Sequence, residues 1–245
     1  MTVPLHLYGV VAADARFSRE LQGRRGAPVR AVSDERLAVL VSDVEDDGGV
    51  TREDLLAHAH VLEAVAEDAA VIPVQFGMAM PDDDTVRREL LEAGGERTAT
   101  LLRAFEGLVQ LTVTGRYDEE DALTEVVRRD PSLASMHGAA DDLQSRMQLG
   151  EAVAAGLEHL RQADSDLLVE RLAPHARAYA FVETRDAYSV TGLALLVERS
   201  SREALDAAVA AVGDELAGRL RLRYVGPQPP YSFLDAVETE EQAWG

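Results

Sequence analysis

Apolar positions recur along this chain with two periods, one suited to strands and one to helices. Residues 4–11 (PLHLYGVV) and 36–43 (RLAVLVSD) are nearly continuous in apolar and β-branched types and predict buried strands. Residues 28–33 are more polar and predict an edge strand. Between them, Asp14 to Leu21 predicts a short helix, and Gly23 and Gly26 a loop. Thr51 and Asp54 form a helix start, with a capping hydroxyl followed by acids. Leu55, Leu56, Ala59, Leu62, Val65 and Ala66 then repeat at three-to-four spacing, which predicts a helix over 52–68 with that row facing inward. Residues 71–74 (VIPV) predict a short strand that Pro73 confines to an edge or a strand start. Asp82, Asp83 and Asp84 suit a helix N-terminus. That helix runs to about Leu91, a second follows Gly94 and Gly95 to about Phe105, and 108–115 (LVQLTVTG) alternates as a strand.

Residues 117–130 carry acids first and Arg128 and Arg129 last, the order a helix dipole favours. Pro131, Ser132 and Gly138 mark a break, which is where a domain boundary is expected. One long helix is expected over about 139–172, with Leu143, Met147, Gly150, Val153, Leu157 and Leu160 on one face. Pro174 ends it. Residues 177–183 and 190–198 read as a hairpin, 202–217 as a helix on Leu205, Val209, Val212 and Leu216, and 219–225 (RLRLRYV) as a half-buried strand. The expected class is α+β in two domains, 1–130 and 131–245, each a mixed or antiparallel sheet with helices, the second ending in an acidic tail.

Charge and composition narrow the function. The chain has 245 residues, with 24 basic against 44 acidic side chains and a net charge of -20. Such an excess of acid argues against nucleic acid and against an anionic membrane surface as partners. Cysteine is absent, which removes disulfides, thiolate metal sites and thiol nucleophiles. Every cationic residue is Arg, so lysine chemistry is excluded as well. No basic region precedes the first apolar run and no apolar stretch reaches the length of a spanning helix, so the expectation is a soluble cytoplasmic protein.

No residues form a convincing catalytic constellation, and no cofactor is expected. His60, Glu63 and Glu67 fall at i, i+3 and i+7 on one helix, and with Asp82, Asp83 and Asp84 they are the only set a divalent metal enzyme would use. A solvated helix face explains the first three better, and helix capping the aspartates. A small-ligand-sensing module with a pocket between the domains is a further alternative. More informative are two rigid segments, VIPVQFGMAM (71–80) and GPQPPYSFL (226–234). Tight packing onto the core and a partner-contact surface are both open readings, since stiff aromatic anchors lose little entropy on binding.

These same segments carry a family resemblance. YGVV at 8–11, His58 with VLEAV at 61–65, VIPVQFG at 71–77 and GPQPPYSF at 226–233 resemble the signature of the gas vesicle proteins GvpF/GvpL, and RMQLGEAVAAGLE at 146–158 is similar to that family's long helix. The chain departs from the pattern at Gln75, Met78 and Gln228, where the family usually has Arg, Thr and Trp. The resemblance implies a non-enzymatic accessory protein of gas vesicle assembly, with a modified ferredoxin-like fold in the C-terminal domain behind its long helix. It implies the shell protein GvpA and other accessory proteins as partners, and a place in the cytoplasm or at the gas vesicle. The residues expected to carry partner contacts are Pro73, Gln75, Phe76, Gly77, Pro227, Pro229, Pro230, Tyr231 and Phe233.

Overall fold

A computed structural model describes residues 3–44, 49–138, 142–183 and 188–235. The expected acidic tail beyond Asp235, residues 45–48, residues 184–187 between the two strands of the expected hairpin, and the expected first turn of the long helix at 139–141 lie outside the described residues. Two compact units divide the chain. The first holds residues up to Leu111, Glu198–Ser200 and the described residues from Gly226 onward, and the second holds Thr112–Val197 and Ser201–Val225. This division differs from the expected one at 130/131, because a strand and a helix before that point belong to the second unit and the closing segment returns to the first.

The first unit is built on β1 (Leu5–Ala12), β2 (Arg30–Ser33), β3 (Leu37–Asp43), β4 (Ile72–Pro73) and β5 (Ala79–Met80). The order is β2-β3-β1-β4, with β5 also paired to β1, and every pairing is antiparallel. Helix α1 (Arg52–Asp68) follows β3. After β5 come α2 (Asp83–Val86), continued by a π-helical stretch to Glu92, and α3 (Gly95–Ala104). The sheet is buried on both faces. Leu5, Leu7, Val10, Val39 and Val41 pack with Val86, Leu91, Ala99 and Leu102 from α2, the π-helical stretch and α3. Tyr8, Val11, Ala38 and Leu40 pack with Val61, Leu62, Val65 and Ala66 of α1. Covering on both sides explains why β1 and β3 read as apolar runs and not as alternations. An irregularity between Leu7 and Gly9 lets β1 shift its alternation midway. Asp14 to Leu21 is not helical; its backbone is tied by turns, and Ser18 donates to the Asp68 carboxylate from both its amide (2.7 Å) and its hydroxyl (2.9 Å).

The second unit contains most of β6 (Leu108–Tyr117), α4 (Glu119–Arg129), α5 (Ser132–Gly138), α6 (Leu143–Leu172), β7 (Ala178–Val182), β8 (Ser189–Glu198), α7 (Arg202–Glu215) and most of β9 (Leu220–Gln228). The sheet order is β7-β8-β6-β9, and β7 and β8 pair antiparallel. With α4–α6 counted as one crossover, the elements run β-α-β-β-α-β, the order of split-βαβ folds. The buried stripe of α6 is Leu160, Asp164, Leu168 and Leu172, at a regular spacing of four, whereas Leu143 and Met147 are exposed. Asp164 is held on two sides: Tyr117 Oη donates to it (2.8 Å), and the Arg219 guanidinium pairs with both its oxygens (3.1 and 2.5 Å).

Helices α4 and α6 approach closely at Gly156. A Cβ there would lie 2.5 Å from Val126 Cγ1. In an open helix Gly→Ala stabilises by about 1 kcal/mol. Here the methyl meets a short, stiff side chain, so Gly156→Ala is expected to lower stability by about 1–2 kcal/mol. Adding Val126→Ala should recover part of that loss, as read by urea unfolding of the single and double variants.

Candidate partner-binding surface

Helix α1 packs beside the first candidate segment, through His58 and Phe76, and its orientation comes from polar groups. Thr51 caps it: the Asp54 amide donates to Thr51 Oγ1 (3.1 Å), and the Thr51 amide donates back to Asp54 Oδ2 (3.0 Å). The same Asp54 is only 2% exposed and pairs with Arg24 Nη2 (3.2 Å) and Arg25 Nε (3.7 Å). The Arg24 hydrogen bond, and then those from Thr51, hold its carboxyl well below the usual carboxylate range. One turn on, His58 is buried too. Its Nδ1 lies 3.0 Å from Nε2 of His6 on β1, and its ring donates to the Val74 carbonyl. Tyr8 stacks on His58, exchanges a hydrogen bond with Ser42 Oγ (2.9 Å) and accepts from the Arg24 amide (2.9 Å). The Tyr8 hydroxyl passes so close to Gly23 that a Cβ there would stand 1.9 Å from it.

With Asp54 and His58 facing inward, Leu56 falls on the outer side of the helix, and Leu55, although on the azimuth of buried Leu62 and Ala66, is exposed in the first turn. Leu55 is 48% exposed and Leu56 44%. The inner face of α1 is instead Asp54, His58, Val61, Leu62 and Val65.

The nine expected contact residues separate by burial. Pro227, Pro229, Pro230 and Phe233 are buried. The closing segment packs on the start of β6, where Gly226 (φ 142°) approaches Leu111 and the Ser232 amide donates to Gln110 Oε1 (3.0 Å). Pro73 is half-buried in β4, opposite Gly9. Phe76 is half-buried, edge-on to His6 and His58 with ring centroids 5.6 and 5.4 Å away. Gln75 and Gly77 are exposed, as is Met78 beside them. Tyr231 is exposed as well, and burial, then the Glu63 carboxylate of α1, pushes its hydroxyl up to about 12. Phe76 therefore adjoins α1 at His58. Leu56 and Glu63 are seven residues apart and share a flank of the helix. Sequence reasoning missed Leu55 and Leu56 as surface residues. The signal present was the polar pair Asp54 and His58 at i, i+4.

The residues of the metal reading have other partners. Asp82 caps α2 through the Thr85 amide (2.8 Å), Asp83 makes a two-pronged pair with Arg30 (3.1 and 2.7 Å), and Glu67 pairs with Arg19 (3.2 Å). Among the described residues no three His, Asp or Glu side chains form a metal-holding cluster. A cavity of about 550 Å³ in the first unit is lined by Arg36, Arg103 and Arg199 and by the acids Asp14, Asp68 and Glu106, among apolar side chains. Arg199 Nε there donates to the Ala66 carbonyl (3.1 Å) near the end of α1, a favourable place for a cation. No helix of the described residues is long and apolar enough to cross a membrane.

The histidine pair has a pH signature. A hydrogen bond between two ring nitrogens needs one of them bare, and burial disfavours the first charge. Desolvation, then the neighbouring His58, pushes His6 down to about 4 from its ordinary 6.5. His58 is lowered too, chiefly by burial. Below pH 6.5 the unfolded chain takes up protons that the folded chain does not, so stability is full above that pH and falls towards pH 4. The loss from His6 is on the order of 3 kcal/mol. The Asp54 carboxylate contributes its own loss only below about pH 3.8. Chemical unfolding from pH 7 to 4.5 should show this decline, and His6→Gln should flatten it.

Comparison with known proteins agrees with this architecture. The family model for gas vesicle synthesis protein GvpL/GvpF matches residues 4–235. Gas vesicle protein F of Streptomyces sp. (strain CB03234) is 31% identical over 238 residues, covering 94% of this chain and 99% of that protein. Gas vesicle protein F1 of Halobacterium salinarum is 29% identical, covering 100% and 99%. The crystal structure of GvpF from Anabaena sp. PCC7120 superposes with a TM-score of 0.80 at 19% identity, over 95% of this chain and 98% of that one. GvpF from Microcystis aeruginosa gives 0.77 at 21% identity, over 95% and 99%. With nearly the whole chain matched in sequence and in fold, this protein belongs to the GvpL/GvpF family of gas vesicle synthesis proteins, and its role lies in gas vesicle assembly.

Proposed function

We propose that the chain is a non-enzymatic assembly factor that binds the hydrophobic shell protein GvpA and keeps it soluble before it joins the vesicle wall. Other gas vesicle accessory proteins would share the complex. The observation that carries this reading is the outward apolar flank of α1: Leu55 and Leu56 lie in solvent on a helix whose polar residues Asp54 and His58 are inside. Tyr231 offers a further exposed ring, and Gln75, Gly77 and Met78 add a second exposed stretch. A shell subunit that builds a water-excluding wall exposes apolar surface before assembly, and such surface aggregates unless covered. The net charge of -20 would keep the covered subunit dispersed. Phe76, Pro227, Pro229, Pro230 and Phe233 then serve the surface from beneath, by holding its backbone.

Co-expression with the shell protein, followed by size-exclusion chromatography with light scattering, tests this. Wild type should yield a soluble complex. Leu55→Glu/Leu56→Glu, and separately Tyr231→Ala, remove surface side chains and should leave the chain folded. The double variant is expected to lose at least about tenfold of the soluble complex, the scale of removing a central apolar contact. Equal recovery of the complex with all variants would exclude this flank as the binding surface.

A further inference from the structure

Arg199 follows directly on β8, and its charge has no ion-pair partner within the chain. Its amide donates to the Gly107 carbonyl (3.0 Å), which pins its backbone beside the loop after α3. Its Nε donates to the Ala66 carbonyl (3.1 Å). The guanidinium makes no other hydrogen bond among the described residues, and its Nη2 is buried. No carboxylate comes within 4.0 Å of it among the described residues. Burial works against the charge, and the Asp68 carboxylate favours it only from a greater distance. Asp68 is itself taken up by the Ser18 amide and hydroxyl. Buried cations are ordinarily paired and buried donors ordinarily have an acceptor. The chain carries 44 acids against 24 bases, so a shortage of carboxylates does not explain the omission.

Arg199 lines the cavity of about 550 Å³ in the first unit. That volume suits a small organic molecule, for which roughly 300–1,000 Å³ is usual. Buried Leu37, Ala99 and Leu102 give the cavity an apolar floor. Arg103 lines it too; its Nη2 donates to Thr100 Oγ1 (3.1 Å), and it has no carboxylate partner among the described residues. Arg36, the third base, is already paired with Glu96 (2.8 Å), which is not part of the lining. Two guanidinium groups without carboxylates therefore border one apolar floor. The exposed carboxylates Asp14 and Glu106 on the same lining disfavour a second negative charge on anything bound there.

We propose that this cavity binds a small monocarboxylate with an apolar body, the carboxylate pairing with the guanidinium of Arg199 and the body lying on Leu37, Ala99 and Leu102. The carboxylate supplies the acceptor that the chain withholds, in the geometry a guanidinium favours. The apolar floor requires the body. The two exposed acids select a single charge over a dianion such as phosphate.

Isothermal titration calorimetry of the full chain at pH 7.5 tests this, at about 0.15 M salt so that a Debye length of about 8 Å screens the net negative charge. Octanoate is the probe, and it should bind once per chain with a Kd below about 1 mM. Hexanoate should bind about tenfold more weakly, the effect of two fewer buried methylenes. Octan-1-ol, octylammonium and inorganic phosphate should each bind at least about tenfold more weakly than octanoate, because each lacks either the carboxylate or the body. In amide NMR spectra of the wild-type chain, octanoate should shift Ala69, Leu102 and Gly107 and leave Leu55 and Leu56 in place, which separates the cavity from the exposed flank of α1. Arg199→Gln should weaken octanoate at least about tenfold, and Arg103→Gln, a change at an exposed side chain, about threefold. If Arg199→Gln does not fold, the wild-type spectra and Arg103→Gln decide. Absence of saturable binding, octanol or octylammonium bound as tightly as octanoate, shifts confined to other residues, or undiminished binding to folded Arg199→Gln would overturn the proposal.

Discussion

A carboxylate cannot be buried without a partner, and one such carboxylate on the main helix of each unit fixes how that helix turns. Asp54 on α1 meets Arg24, and Asp164 on α6 meets Arg219 and Tyr117. Once Asp54 is inside, the 3.6-residue repeat brings His58 in behind it, and His58 finds His6 on the sheet. Leu56 is then carried to the surface, although its own hydrophobicity favours the core, and Leu55 is exposed beside it in the first turn. In α6 the stripe through Leu160, Asp164, Leu168 and Leu172 continues this logic, and Leu143 and Met147 lie outside it. The desolvation cost of these carboxylates is offset by the ion pairs and hydrogen bonds that each of them accepts. The gain is an unambiguous rotation that apolar packing alone would leave open.

Strong periodicity was legible. Helix α1 is found over the span its spacing predicts, and β2 at the edge of its sheet follows from its polarity. What failed was local. Asp14 to Leu21 has the composition of a short helix, but Ser18 bonds to Asp68 across the fold and the segment runs through turns and bends. The short α5 after Pro131 was read as a break, because Pro and Gly at its ends resemble loop signals. The domain limits were the least legible feature. The chain enters the second unit along β6 and returns along β9, within strands that carry no linker composition.

The candidate surface was legible only in part, for a related reason. The segments that identify the family, 71–77 and 226–233, are mostly packing devices. Phe76 rests on the buried histidines, while Pro227, Pro229, Pro230 and Phe233 are covered. Rigid, aromatic and proline-rich sequence marks a place where geometry matters, and here geometry serves the inside. Of the nine expected contacts, Gln75, Gly77 and Tyr231 are exposed. The flank of α1 escaped notice because a periodicity count treats every leucine as inward and every aspartate as outward, and the Arg24–Asp54 pair reverses that at one turn.

The central claim is that polar anchoring holds the first turn of α1 with Leu55 and Leu56 in solvent, and the absence of cysteine allows a direct test. Single cysteines would be placed at Leu55, Leu56, Val61 and Ala64, and their maleimide labelling rates measured in the folded protein at pH 7.5. Leu55→Cys and Leu56→Cys should label at rates near those of the unfolded chain. Val61→Cys and Ala64→Cys should be protected until the chain is denatured. Protection at 55 and 56 together with fast labelling at the other two positions would mean that α1 sits as its apolar repeat alone predicts, and the account of the buried anchors would be wrong.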